Sequence, residues 1–361
     1  MMALRSFLRF LLLLLLVAMP CASAAAASFD CRSAVSVREK TVCSDARLSA
    51  LDAQLGEEYA SLRHTLSSEA FDAVRGDQRA WLAWLDKACA PDAENDAGNG
   101  AACYRSEYKE RIADLTPRRL ADGTVLYGRL ATFAKPQSNS EEPLPHSPGY
   151  GVARFGYPQI DATTPAAAAF NAAALKRAQA TSGELGDPKK DATFDQLADP
   201  QAQQDLTWSF GPSNATLLTI EFHLFFYYYG GAHPGELDRN LLWWTRSSRE
   251  VAVDDLFNPQ SPWKTALVAP LQRSLIAHEP ELKGNLWDGR DFKSGIAEAL
   301  ARPTSWTLTR GGLRLGYDQY EVAAYVFGKP TATLRWSILK PYLGKGFDPS
   351  TLPEGTHPTK P

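Results

Sequence analysis

The chain has 361 residues, 44% of them hydrophobic and 22% charged, with a formal net charge of −3. This is a globular composition, without the charge excess and apolar poverty of a disordered polymer, and it offers no basic surplus for a nucleic acid backbone. The length suits two domains better than one, and the mild acidity fits a basic partner.

The first element predicted is a secretory leader over residues 1–27. Arg5 and Arg9 precede an apolar run from Leu11 to Ala18, and small residues follow from Ala22 to Ala27. That is the order of a charged, an apolar and a cleavable region, with cleavage sites after Ala24 or Ala27. Met19 and Pro20 stand before Cys21 where a lipid-attachment signal needs small residues, so no lipid anchor is expected. No later stretch approaches the roughly 20 apolar residues of a bilayer span. The expected location is the periplasm or the exterior.

Once Cys21 leaves with the leader, Cys31, Cys43, Cys89 and Cys103 remain, an even set that reads as disulfides in an exported protein. Four cysteines allow three pairings. Cys31 with Cys43 and Cys89 with Cys103, each closing a short loop, is the favoured one, with roughly 3 kcal/mol of stabilisation expected per bridge.

Over residues 28–117 the apolar spacing is helical. Leu48, Leu51, Leu55, Tyr59 and Leu62 line one helix, Phe71, Val74, Trp81 and Leu85 a second, and Tyr104, Tyr108, Ile112 and Leu115 a third, ended by Pro117. The expectation is a disulfide-stapled, all-α bundle of three helices. Residues 118–149, rich in Pro, Ser, Asn and Glu toward their end, read as a linker.

A second domain is predicted over residues 150–345. Thr164 before Pro165 starts an alanine-rich helix. From Thr216 to Tyr229, Leu218, Ile220, Phe222, Leu224 and Phe226 alternate with Thr219, Glu221, His223 and Phe225, the period of a strand. Further extended runs follow at Asn240–Thr245 and Glu250–Val253. A helix is expected near Trp263–Ile276 and a hairpin at Trp306–Tyr317. Helices and hairpins without regular alternation predict an α+β domain with an antiparallel sheet. Residues 346–361 read as a disordered tail.

Two resemblances attach to these residues. Phe29-Asp30-Cys31, Glu39 to Cys43, Leu48, Leu51-Asp52, Tyr59, Gln78-Arg79, Trp81-Leu82, Cys89, Cys103 and Arg111-Ile112 resemble the LprI-type lysozyme-inhibitor family, departing from it at Leu85, where the family commonly has arginine. Tyr157-Pro158-Gln159, Phe226 to Pro234, Asp254 to Phe257, Gly312-Leu313 and Asp318 to Ala323 resemble the RsiV C-terminal-like domain, found on a lysozyme-sensing anti-sigma factor and beside some peptidoglycan-modifying enzymes. Together they imply a partner that is a lysozyme or the wall it attacks.

The sharpest candidate binding residues are Gly230, Gly231, His233 and Pro234, because two glycines permit a tight turn that presents an imidazole at the end of an aromatic strand. The plain alternative is a hairpin connection whose histidine packs locally. Trp84 is the exposed aromatic expected on the second helix. Trp243 and Trp244 point to opposite faces of a strand, one buried and the other open to contact. Asp254-Asp255 and Asp318 to Glu321 offer carboxylates for glycoside hydrolysis, but acids at such positions more commonly cap helices and turns. No His-Glu-x-x-His occurs, and no nucleophile with a base is recognisable, so neither catalytic residues, a metal nor a cofactor is expected. The reading is a non-enzymatic envelope protein that binds and inhibits a lysozyme-like muramidase. A peptidoglycan-binding module is the alternative and a wall-modifying hydrolase a more distant one.

Overall fold

A computed structural model describes residues 27–89, 99–138, 144–145, 147–184 and 191–355. The expected leader, Ala27 apart, lies outside the described residues, as do most of the polar stretch over 139–146 and the last six positions.

Four helices open the fold: α1 (Val37–Ser44), α2 (Ala46–Thr65), α3 (Ser68–Ala88) and α4 (Asn99–Leu115). The first was not separated in the sequence reading. Ser36 and Glu39 form a reciprocal capping box at its start, and Asp45, in extended conformation, ends it while capping α2 through the Arg47 and Leu48 amides. Leu48, Leu55 and Leu62 of α2 meet Val74, Trp81 and Leu85 of α3 and Tyr104, Tyr108 and Ile112 of α4 in one core. Disulfides join Cys31 to Cys43 and Cys89 to Cys103. Two polar residues of the N-terminal signature, Asp52 and Arg111, face inward as well. Asp52 accepts hydrogen bonds from Ser28 and from the Tyr108 hydroxyl, and Arg111, fully buried, donates to Gln78.

Seven strands follow in one sheet whose spatial order equals the chain order: β1 (Arg118–Arg119), β2 (Val125–Pro136), β3 (Tyr150–Asp161), β4 (Ala202–Phe210), β5 (Leu217–Tyr228), β6 (Gly235–Trp244) and β7 (Arg249–Glu250). All neighbours are antiparallel except β3 and β4, which are parallel because α5 (Pro165–Gly183), capped by Thr164, lies between them in the chain. Phe170, Ala174 and Ala178 of α5 pack against Phe155, Leu206, Phe222 and Leu224. A smaller antiparallel sheet of β8 (Trp306–Thr309), β9 (Gly312–Gly316) and β10 (Thr331–Leu334) shares a third core with α9 (Val268–His278) and α10 (Gly289–Leu300). Four shorter α-helices are also present among the described residues: α6 (Phe194–Leu197), α7 (Val253–Leu256), α8 (Trp263–Ala266) and α11 (Trp336–Leu339). This is the α+β architecture expected. Among the described residues no helix is long and apolar enough to cross a membrane.

Three expectations are corrected. Residues 118–136, read as part of a linker, are not one: β1 and β2 belong to the main sheet, and Val125, Tyr127 and Leu130 enter the core of the helical module while Leu126 enters the core under α5. Val125, Leu126, Tyr127 and Leu130, preceding the polar stretch, carried that signal. Trp84 is buried, and its indole N–H donates to the Phe133 carbonyl at 3.1 Å, because the helix face thought open lies against β2. The tail is ordered to residue 355, held by buried Leu352 and by the Arg310 amide donating to the Pro353 carbonyl.

Helices and sheet are locked by charge. Arg154 of β3, 2% exposed, points at Glu107, Glu110 and Asp114 on α4 and at Asp205 on β4. Burial opposes its charge, but the surrounding carboxylates outweigh burial and hold its pKa above the ordinary arginine value. Arg129 of β2 binds Asp77 of α3 at 2.6 Å and 3.1 Å. At Gly128 a β-carbon would strike the Asp114 carbonyl, so glycine is what lets α4 approach the sheet. Burial raises the carboxyl of Glu107 to about 7 and that of Asp205 to about 6.

Two outcomes follow. Arg154→Met strands several carboxylates at the junction and should cost about 3–5 kcal/mol in urea unfolding. Glu107 holds its proton more tightly in the folded chain, so its contribution is full below 4.5 and is lost as pH rises to about 7. The stability of the wild type relative to Glu107→Gln should fall across that window, and a pH-independent difference would contradict the assignment.

Candidate functional site

The loop joining β5 to β6 turns at Gly230, whose φ of +79° suits glycine. The Gly231 amide donates to the Tyr228 carbonyl, and the Tyr227 hydroxyl donates to the Gly231 carbonyl. Gly230, Gly231, Ala232 and His233 are exposed and Pro234 is half-buried. His233 Nδ1 lies 2.9 Å from the Pro234 carbonyl, so it carries the proton and donates, which makes Nε2 the acceptor for the Tyr320 hydroxyl at 3.2 Å.

Tyr320 stands 87 positions from His233 in the chain. The His233 ring stacks on Tyr325 with centroids 3.9 Å apart, and the Tyr325 hydroxyl donates to the Pro234 carbonyl. Trp287 donates its indole N–H to the Tyr320 carbonyl at 2.9 Å. The result is a surface platform of His233, Tyr320, Tyr325 and Trp287. Tyr320 is 54% exposed, Trp287 38%, and the adjoining Val326 82%.

Tyr320 has φ of +65°, a conformation that a tyrosine adopts only when its surroundings enforce it. The enforcement is visible. Buried Arg239 makes a two-pronged ion pair with Asp318 at 2.9 Å and 2.7 Å and also binds Glu184. Arg302 binds Glu321, whose carboxylate also accepts from the Asp318 amide, and the Gln319 side chain accepts from the Glu236 amide. Burial raises the Glu321 carboxyl against the pull of Arg302.

These bonds decide what the acidic motifs do. Asp318 and Glu321 hold the platform loop. Asp255 accepts from the Ala252 amide, from Trp244 and from Arg249, as a helix cap and strand anchor. Of the two tryptophans expected on opposite faces, Trp243 is the buried one, against Phe170, and Trp244 is engaged and partly buried rather than open to contact. Among the described residues no group of three His, Cys, Asp or Glu side chains is placed to hold a metal ion. Trp84 does not join the platform. It lines a recess of about 250 Å³ between helices and sheet, with Tyr227 and Tyr229 on the sheet side. Sequence reading named His233 and the Asp318–Glu321 motif separately, and missed Tyr325, Trp287 and Val326, which carry no signal until the loops are brought together.

The fold and site define a two-part chain, a disulfide-stapled helical module fused to an α+β module that presents a fixed aromatic surface. Residues 31–122 match the family model described as lysozyme inhibitor LprI, and residues 254–337 match that described as a protein of unknown function, DUF3298. Tyr320 and Tyr325 fall within the second match, whereas Gly230 to Pro234 precede it. Two solved DUF3298 family proteins, from Bacteroides fragilis NCTC 9343 and Pseudomonas aeruginosa PAO1, are each similar at 16% identity and TM-score 0.44. The likeness covers 62% and 61% of this chain and 94% of each of theirs. No curated protein matches the chain.

Asp318→Ala removes the anchor of Arg239 and the support of the strained Tyr320 backbone. It should destabilise the fold by about 3 kcal/mol and alter the near-ultraviolet dichroism of Tyr320, Tyr325 and Trp287. An unchanged aromatic spectrum would mean the loop is held otherwise.

Proposed function

We propose that this is a periplasmic or secreted envelope protein without chemistry of its own, which binds a lysozyme-like muramidase and blocks it. The observation that carries the reading is the match of the stapled helices to the lysozyme-inhibitor family. Two disulfides fit an oxidising compartment outside the cytoplasm. Loss of Arg5 and Arg9 with a leader would leave the remainder more acidic, which favours encounter with a basic enzyme.

Several residues that carry the family resemblance in the helical module, Asp52, Trp81 and Arg111 among them, point inward, while Asp30, Lys40 and Arg79 are exposed, and a contact surface can also lie elsewhere. The His233–Tyr320 platform has the properties of one. Its rings are exposed or half-exposed and held by hydrogen bonds and stacking, and Tyr and Trp are among the side chains that most often anchor interfaces. A muramidase cleft works through two carboxylates across a sugar chain, and a fixed aromatic loop placed where the sugar lies blocks it without chemistry. Exposed aromatic rings also suit stacking on wall glycan, so purified sacculi are the matching control.

The test is calorimetric titration of the oxidised chain with a c-type lysozyme, with muramidase turnover followed in parallel. Helices and sheet share a core, so separated halves are poor reagents and surface variants are used instead. Saturable binding with loss of turnover is expected. Val326→Asp, a change at an exposed site that should alter stability by no more than about 0.5 kcal/mol, should weaken binding roughly tenfold. Absence of binding at concentrations on the order of tens of micromolar, with retention on sacculi, would replace enzyme binding with wall binding.

A further inference from the structure

A second feature lies away from the platform. On β5 the buried Ile220, Phe222 and Leu224 alternate with Glu221 and His223, which therefore face the other side of the sheet. There they meet the small sheet of β8 and β9 across a cleft of about 360 Å³. That volume lies within the range of small-molecule sites.

The two acids of the main-sheet wall are in different states. Asp238 is satisfied: it accepts from His223 Nδ1 at 2.8 Å and pairs with Lys329 at 2.9 Å. Glu221 is not. Its half-buried carboxylate has no hydrogen bond or ion pair among the described residues, and burial raises its pKa. On the opposite wall stands the exposed Arg314 of β9, whose guanidinium makes a single hydrogen bond among the described residues, a long one of 3.4 Å to the Thr307 hydroxyl. Glu221 and Arg314 line the same cleft and sense each other's charge, yet they do not close into an ion pair. Between them Asn240 gives its side-chain N–H to the Trp306 carbonyl, which leaves its amide oxygen as an acceptor.

An unpaired acid and an under-used guanidinium held apart across a cavity ask for a ligand that carries both complementary charges. We propose that this cleft binds a small zwitterion, a free amino acid or a short peptide with both ends free, its ammonium on Glu221 and Asn240 and its carboxylate on Arg314. Arg314 offers the forked donor geometry that a carboxylate fits, and the carboxylate of Glu221 needs the donor that the fold does not supply. A neutral sugar would use the same hydrogen bonds without the charges. This proposal stands independently of the muramidase reading, because it rests on other residues and on a different class of ligand.

The probes are dialanine, its N-acetyl and C-terminal amide derivatives, and N-acetylglucosamine, titrated calorimetrically into the full oxidised chain. Dialanine is expected to saturate, and either blocking group should weaken it roughly tenfold or more. In Glu221→Gln the acetyl group should cease to matter, and in Arg314→Gln the amide should cease to matter, the signature of pairwise coupling. Glu221 has no partner to lose and its half-buried charge costs stability, so Glu221→Gln should melt at or above the wild type; the blocked dipeptides test the idea on the unaltered protein whether or not it does. Equal binding of free and blocked dipeptides, binding of the sugar alone, or no saturation by any probe would each overturn the proposal.

Discussion

The fold depends on one buried cation. Arg154 sits in the main sheet with almost no exposure and gathers three carboxylates from a helix of the N-terminal module and one from the neighbouring strand. A guanidinium out of water is costly unless several acceptors surround it, and those acceptors are costly unless the guanidinium is there. Helix and sheet must therefore be assembled together. The two parts read in the sequence meet not through a linker but along a charged seam, reinforced by the Arg129–Asp77 pair and by apolar residues of β2 shared with the helices.

The same device recurs where the surface site is made. Arg239 and Arg302 reach Asp318 and Glu321 and hold the loop that carries Tyr320 in a backbone conformation it would not choose alone. The carboxylates that invited a hydrolytic reading are the ligands of these arginines. Their chemistry is positional, and its product is a rigid aromatic surface rather than a pair of poised acids.

A signature and a site are different things in this molecule. Cys31, Cys43, Asp52, Gln78, Trp81, Cys89, Cys103 and Arg111 identify the helical module because they build it: two disulfides, two buried polar contacts and a buried indole. Residues needed to form the bundle are the ones a sequence pattern captures best. Exposed residues contribute little to the fold, so Val326 and Trp287 leave no comparable trace.

The sequence by itself determined the long helices α2 to α5 and α9 and the strands β5, β6, β8 and β9, because their apolar periods of 3.6 and two are local properties, as at Leu48–Leu55–Leu62 and Ile220–Phe222–Leu224. It also pointed to the favoured disulfide pairing, the turn at Gly230 and the capping role of Asp255, each set by near neighbours. Only the tertiary structure decided that Trp84 is buried, that residues 125–136 are a central strand and that His233 meets Tyr320. Each of those depends on which surface packs against which, and a helix or strand carries no local record of the face its partner will cover.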